Sequence, residues 1–304
     1  MKKLLIETVA SNSLCYLIAL SLAVCLCGTA HAVVVVNSFS ALPATPNDNV
    51  WYLSDMRGAG TASIPDLTGE GGNLEFSQPL PTGAAKLTTG ASVNDKAEVG
   101  TFGDFGSAVT ALNSGTFGYS YYKQSVGDGN AFAAPSLKLT LFADGGTGDN
   151  YGTLVYEPNW NQGTGGSSAV PMDAWQNISI TSSTGSGADP SEGWWWTGGF
   201  EQGNTAGGPP IKSLGEWATL FSADSDFANA RVVGVSVGVG TYNLSQTGYF
   251  DNVSIAISGG LNETFDFQAV PEPSAFLFGG LVCSVLGGNY LRKRFKAGKQ
   301  TAEV

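Results

Sequence analysis

The sequence predicts an all-β fold, an antiparallel jelly-roll-type β-sandwich with one short helix. An N-terminal signal peptide precedes it and a C-terminal transmembrane helix follows it. Three observations point there. Short runs of alternating apolar and polar residues recur between Gly, Asn, Asp and Pro punctuation, which is the signature of strands joined by turns. No long stretch of helical periodicity interrupts them, and such a pattern indicates a sandwich rather than an α/β fold. Both chain ends are apolar segments flanked by basic residues.

Lys2 and Lys3 open the chain, residues 14–27 are mostly apolar, and Ala30-His31-Ala32 forms an A-x-A site. Residues 1–32 therefore read as a signal peptide cleaved at Ala30 and Ala32, with the Sec export machinery as its partner. Acylation at Cys25 or Cys27 is the rival reading. Val24 and Leu26 stand before those cysteines, where a lipoprotein needs a small residue.

Residues 33–269 form the body. Its expected strands are 73–77, 98–102, 117–124, 136–143, 152–157, 175–181, 231–239 and 247–257. Residues 136–142 and 252–257 alternate with period two. The single helix starts at Ser213, whose spacing to Glu216 makes a capping box, with Trp217, Leu220 and Phe221 at helical spacing behind it. No linker splits the body, so it is read as one domain.

The tail has three parts. Residues 270–274 read Val270-Pro271-Glu272-Pro273-Ser274, and the two prolines hold this segment extended. Residues 275–291 are apolar, and as a helix they span about 25 Å, a minimal membrane crossing. Residues 292–304 begin with the cations Arg292, Lys293, Arg294 and Lys296. The positive-inside rule leaves that cluster in the cytoplasm and the body outside the inner membrane.

Composition excludes several chemistries. His31 is the sole histidine and leaves with the signal peptide. The cysteines (Cys15, Cys25, Cys27 and Cys283) all fall outside the body. Without His or Cys, the body has no Ser-His-Asp or Cys-His catalysis, no His-based zinc site and no disulfide framework. The five-residue pattern Gly234-Val235-Ser236-Val237-Gly238 matches a nucleophile elbow, but it lies in a Val/Gly alternation and reads as a strand with small residues on one face. Between residues 33 and 270, seven Lys and Arg stand against 22 Asp and Glu, a net charge of −15. Such a surface repels phosphate backbones, so no nucleic acid is expected as a partner.

Two kinds of site remain. All seven tryptophans lie in the body. In an extended Trp194-Trp195-Trp196 segment, Trp194 and Trp196 share one face, which makes them the candidate sugar platform. The competing reading has most tryptophans filling the sandwich interior. The loop from Asp144 to Asn150 is rich in Gly, Asp and Asn. Asp144 and Asp149, with Asp251 in a later strand, are the candidate ligands of a structural Ca²⁺, against a plain turn as the alternative. No other cofactor is expected. Paired carboxylates for sugar hydrolysis remain open, because nothing singles out two of the 22 acids.

The Pro-Glu-Pro triplet, apolar run and basic end resemble the PEP-CTERM sorting tail of Gram-negative bacteria. That resemblance implies recognition by an exosortase, a transient stay in the inner membrane, and delivery to the cell surface or extracellular matrix. The segment Gly248-Tyr249-Phe250-Asp251-Asn252-Val253-Ser254-Ile255 is similar to the last strand of jelly-roll domains of the carbohydrate-binding-module and concanavalin-like type. Together they imply a non-enzymatic matrix or adhesion component that binds exopolysaccharide. A glycoside hydrolase or lyase on the same sandwich is the alternative. A structural surface protein without a ligand is the second.

Overall fold

In the computed structural model the alternating runs become the strands of two stacked sheets. The structure describes residues 32–126, 130–145, 148–163, 166–185 and 193–270, with residues 282, 284 and 285. Fourteen strands follow in chain order: β1 (Ala32–Val36), β2 (Ser40–Ala41), β3 (Tyr52–Leu53), β4 (Thr61–Ser63), β5 (Ala85–Thr88), β6 (Ala97–Phe102), β7 (Thr116–Lys123), β8 (Ser136–Phe142), β9 (Tyr151–Tyr156), β10 (Trp175–Ile180), β11 (Trp195–Trp196), β12 (Arg231–Val239), β13 (Thr247–Ala256) and β14 (Asn262–Phe267).

The first sheet runs β1-β14-β13-β5-β4, and β7 joins the free side of β13 and carries β10. The second sheet runs β11-β9-β8-β12-β6-β3-β2. All pairings are antiparallel except β1 with β14 and β2 with β3. This is the expected jelly-roll-type sandwich.

The core lies between the sheets. On β8, Leu137, Leu139 and Leu141 point inward, and on β12 Val235, Val237 and Val239 do the same. They meet Phe250, Val253 and Ile255 of β13 and Phe265 and Phe267 of β14. Trp51 closes one end, its ring 4.9 Å from Phe267 and 5.4 Å from Phe265 in edge-on geometry. Each such buried side chain contributes about 1.5–3 kcal/mol through water release. With no disulfide in the body, this packing holds the fold.

Among the described residues of the body, three α-helices form where one was expected. Residues 73–77, expected as a strand, instead form most of α1 (Gly72–Phe76) and its C-cap, Ser77. Gly71 and Gly72 take positive φ there, and the Glu75 carboxylate accepts the Gly71 N–H at 2.8 Å. That local bond turns the chain before any sheet partner reaches it. α2 (Ala108–Ser114) is capped by Ser107, whose hydroxyl accepts the Thr110 N–H. α3 (Leu214–Phe221) carries the expected capping box: Ser213 Oγ accepts the Glu216 N–H at 3.3 Å, and Glu216 Oε2 accepts the Ser213 N–H at 2.9 Å. α3 buries Leu214, Trp217, Ala218 and Phe221 against the sandwich.

β1 begins at Ala32, the second residue of the expected cleavage site; Ala30 lies outside the described residues. Val270 is exposed. Pro271, Glu272, Pro273 and Ser274, nearly all of the apolar run and the cluster Arg292, Lys293, Arg294 and Lys296 lie outside the described residues. Among the described residues no helix is long and apolar enough to cross a membrane.

Candidate functional site

Strand alternation that buries the leucines of β8 turns Lys138 and Thr140 to the outer face of the second sheet. On β12 the same alternation turns Gly234, Ser236 and Gly238 outward. The neighbouring strands carry much larger outward side chains, Glu98 and Phe102 on β6 and Lys138 on β8. The glycines are required. A Cβ on Gly234 would lie 2.9 Å from the Phe102 ring, and one on Gly238 would lie 3.0 Å from Cγ of Glu98. β12 is thus the floor of a trough, and its neighbours lean over it. The nucleophile-elbow pattern is this floor.

The cavity above the floor measures about 420 Å³. Tyr151 of β9, 58 % exposed, and Trp195 of β11 form its aromatic wall. Hydroxyls of Ser54, Thr140, Thr153, Thr197 and Ser236, the apolar side chains of Leu42, Phe102 and Val155, and a chain of ion pairs complete the lining. Arg57 reaches Asp55 at 2.6 Å, Lys96 reaches Asp55 at 2.7 Å and Glu98 at 2.8 Å, and Lys138 binds the same Glu98 oxygen. Ser236 donates to the other Glu98 oxygen at 2.8 Å.

Burial would push the Glu98 carboxyl up, but the Lys138 and Lys96 ammonium groups outweigh it and pull it down to about 2. Lys138 is shifted down, because burial exceeds what Glu98 returns. Glu157, just past β9, behaves oppositely to Glu98: burial raises it against the opposing effects of the Trp195 and Trp160 indoles and the Lys138 charge. The trough therefore presents two ionised carboxylates, Asp55 and Glu98, and the neighbouring Glu157 holds its proton more tightly, with Lys138 coupled to both glutamates.

Trp194 and Trp196 do not form the expected platform. Both are fully buried. β11 pairs with β9 so that Trp196 stands beside the inward Leu154 and Trp195 beside the outward Val155. Trp196 packs on Phe221 at 4.6 Å and Trp194 on Tyr156 at 5.4 Å. Their faces are the reverse of those expected, and Trp195 is the ring that meets the trough.

The three acids expected to share Ca²⁺ are not brought together. Asp144 and Asp149 are exposed in the β8–β9 turn of the second sheet, and Asp149 accepts the Glu201 N–H at 2.8 Å. Asp251 is buried on β13 of the first sheet. Among the described residues no group of three or more His, Cys, Asp or Glu converges on a metal position. Asp251 instead neighbours Asp266. Its Oδ1 accepts the Phe267 N–H at 3.0 Å, but its Oδ2 and the Oδ1 of Asp266 are buried without a hydrogen-bond partner. Burial, with Asp266 adding repulsion, pushes Asp251 up to about 7.

Sequence reasoning missed Tyr151, Glu98 and Lys138. The signal was present in the small outward residues of 234–238, which imply tall neighbours on both sides.

No family model and no curated protein matches the chain. Similar solved structures include TmCBM61 in complex with β-1,4-galactotriose, at 11 % identity and a TM-score of 0.32, covering 68 % of this chain and 88 % of that one. Another is a family 11 carbohydrate-binding module from Clostridium thermocellum in complex with a β-1,3-1,4-mixed-linked tetrasaccharide. It shows 13 % identity and a TM-score of 0.35, over 75 % of this chain and 95 % of that one. At that level of similarity no ligand carries over to this chain.

Proposed function

We propose that the body binds polysaccharide through the trough of the second sheet, without chemistry, as an exported component of the cell surface or matrix. The trough itself carries this reading. Tyr151 and Trp195 offer apolar ring faces of the kind that lie against sugar rings. The ion pairs fix charged groups and hydroxyls in place before any ligand arrives, so little ordering remains to oppose binding. Affinity electrophoresis in gels cast with β-glucan, galactan or agarose tests it. Retention that disappears in Tyr151→Ala and Trp195→Ala supports the reading, and free migration of the wild type through every gel rejects it.

Export, passage through the inner membrane and exosortase processing are proposed from the sequence ends. Fractionation with intact-mass measurement checks them. A cytoplasmic protein with residues 1–32 still attached rejects this part.

Calcium is proposed at Asp251 and Asp266, whose unpartnered buried oxygens suit a hard cation. A melting midpoint raised by Ca²⁺ and lowered by EDTA supports it; identical midpoints reject it.

Hydrolysis is a second reading with one observation behind it. Leu137 faces Tyr156, which sets Glu157 beside Ser136, and Ser136 pairs with Gly238, which pairs with Glu98. Two acids of divergent proton affinity thus share one cross-strand row, a recurring arrangement in acid–base sites. The two ammonium groups on Glu98 make it a poor base, which favours binding. Release of reducing ends from the retained polysaccharide would decide for hydrolysis.

A further inference from the structure

The trough does not end at Trp195. A second cavity of about 160 Å³ shares Lys138 and Trp195 with it and adds Ser136, Glu157 and Asn243. A third, of about 80 Å³, shares Ser136, Glu157 and Asn243 with the second and reaches Asn130 and Phe132. The three form one path along β8 and β9 to the loops at the end of the sheet. From Tyr151 to Glu157 that path covers about 20 Å of extended strand, before the loops begin.

At the exit two aromatic rings face solvent. Phe132 is 41 % exposed and Tyr242 is 76 % exposed. Tyr242 holds a left-handed backbone with φ 69°, uncommon for a bulky residue. Its N–H donates to Val93 O at 2.7 Å.

The two loops are tied together from beneath. Lys123 is buried, and its ammonium donates to Asn130 O and Ala133 O at 2.7 Å each, and to the Gln246 side chain. Asn130 also donates to the Asn243 side chain at 3.3 Å. Burying an ammonium group is costly, and burial pulls Lys123 down to about 8. Here that cost joins the 130–133 and 243–246 segments into one rigid base beneath Phe132 and Tyr242. A tyrosine displayed by an uncommon backbone conformation, on loops cross-linked by a buried cation, is the construction of a contact surface rather than of a spare turn.

We infer that Phe132 and Tyr242 form a second stacking platform at the exit of the trough, and that the ligand is a linear, unbranched glycan long enough to lie on both. This rests on the proposed polysaccharide binding and names its substrate class. A branched or short glycan would fill the trough without reaching the exit, whereas a linear chain passes over Glu157 and Asn243 and meets the rings.

The test uses the full-length chain in detergent and calorimetric titration with tetrasaccharides and octasaccharides of mixed-linked β-glucan, β-1,4-galactan and agarose. In the wild type the octasaccharide of the bound series should bind at least about tenfold more tightly than the tetrasaccharide, a step worth about 1.4 kcal/mol. Tyr242→Ala and Phe132→Ala should remove that gain and leave tetrasaccharide affinity unchanged. Both rings are exposed, so the variants should melt with the wild type. Equal wild-type affinities for the two lengths, or full octasaccharide affinity in both variants, overturns the inference while trough binding stands. No binding of any oligosaccharide, or binding indifferent to Trp195→Ala, overturns both. Self-association that Tyr242→Ala abolishes, with octasaccharide affinity unchanged, reassigns the platform to a second copy and overturns it too.

Discussion

Neighbouring tryptophans carry opposite duties here. Trp196 is enclosed by Phe200, Trp217 and Phe221, so Trp196→Ala should cost about 3–5 kcal/mol, measured by urea unfolding. Trp195→Ala, at a ring only partly buried, should lower that midpoint less than Trp196→Ala does and abolish retention on polysaccharide gels. Gly238→Ala should displace Glu98, since the new Cβ meets it at 3.0 Å, and should weaken retention more than stability. Two acids give the stability a maximum in pH. Asp251 rises from 3.8 to about 7 in the folded chain, so the folded state holds the extra proton between those values and stability falls as pH climbs through them. Glu98 drops from 4.5 to about 2, so its contribution is complete above 4.5 and is lost as pH falls toward 2. Without calcium, the melting midpoint should therefore peak near about pH 4, and Asp251→Asn should flatten the decline above it. A midpoint that climbs steadily from pH 5 to 8 would contradict the burial of Asp251.

Half of the fourteen strands, β6 to β10 with β12 and β13, were legible because period-two alternation survives wherever one face of a long strand is core, whereas β1, β5 and β14 were not expected. The expected 231–239 segment coincides with β12, and the other long strands shift by a residue or so at one or both ends. β2, β3, β4 and β11 are two or three residues long, too short for a period to register. α2 escaped notice because its sequence, AVTALNS, holds no charge to mark an outer face. α3 was legible from its cap and from the helical spacing of Trp217, Leu220 and Phe221 behind it. Ser213→Ala should lower stability by about 1 kcal/mol, read in the same urea titration. Of the site, the small floor of β12 was legible, but its meaning depended on which strands flank it. That order, β8 and β6 on either side, joins segments distant in sequence and has no local signature. The faces of Trp194–Trp196 followed from the pairing of β11 with β9, which sequence alternation leaves undetermined by one residue.

The molecule as a whole separates its two kinds of contact. The trough lies on the outer face of the second sheet, whereas β1 and β14, which carry both ends of the body, lie in the first. A body tethered by its C-terminal segment would keep the trough turned from the tether. Trough binding should therefore be equal in the proposed membrane-held precursor and in a form truncated after Val270, and pull-down with immobilised polysaccharide compares them. A large loss in the tethered form would contradict that separation. The parallel pairing of β1 with β14, with Gln268 N–H closing on Val36 O at 3.0 Å, also sets an order of events. On the proposed export route, the earliest strand to emerge would have no partner until the latest one followed. Its valines would then wait, unzipped, while everything between followed, so on that proposed route the sheet could seal only once the entire body had crossed, held open by connectivity alone.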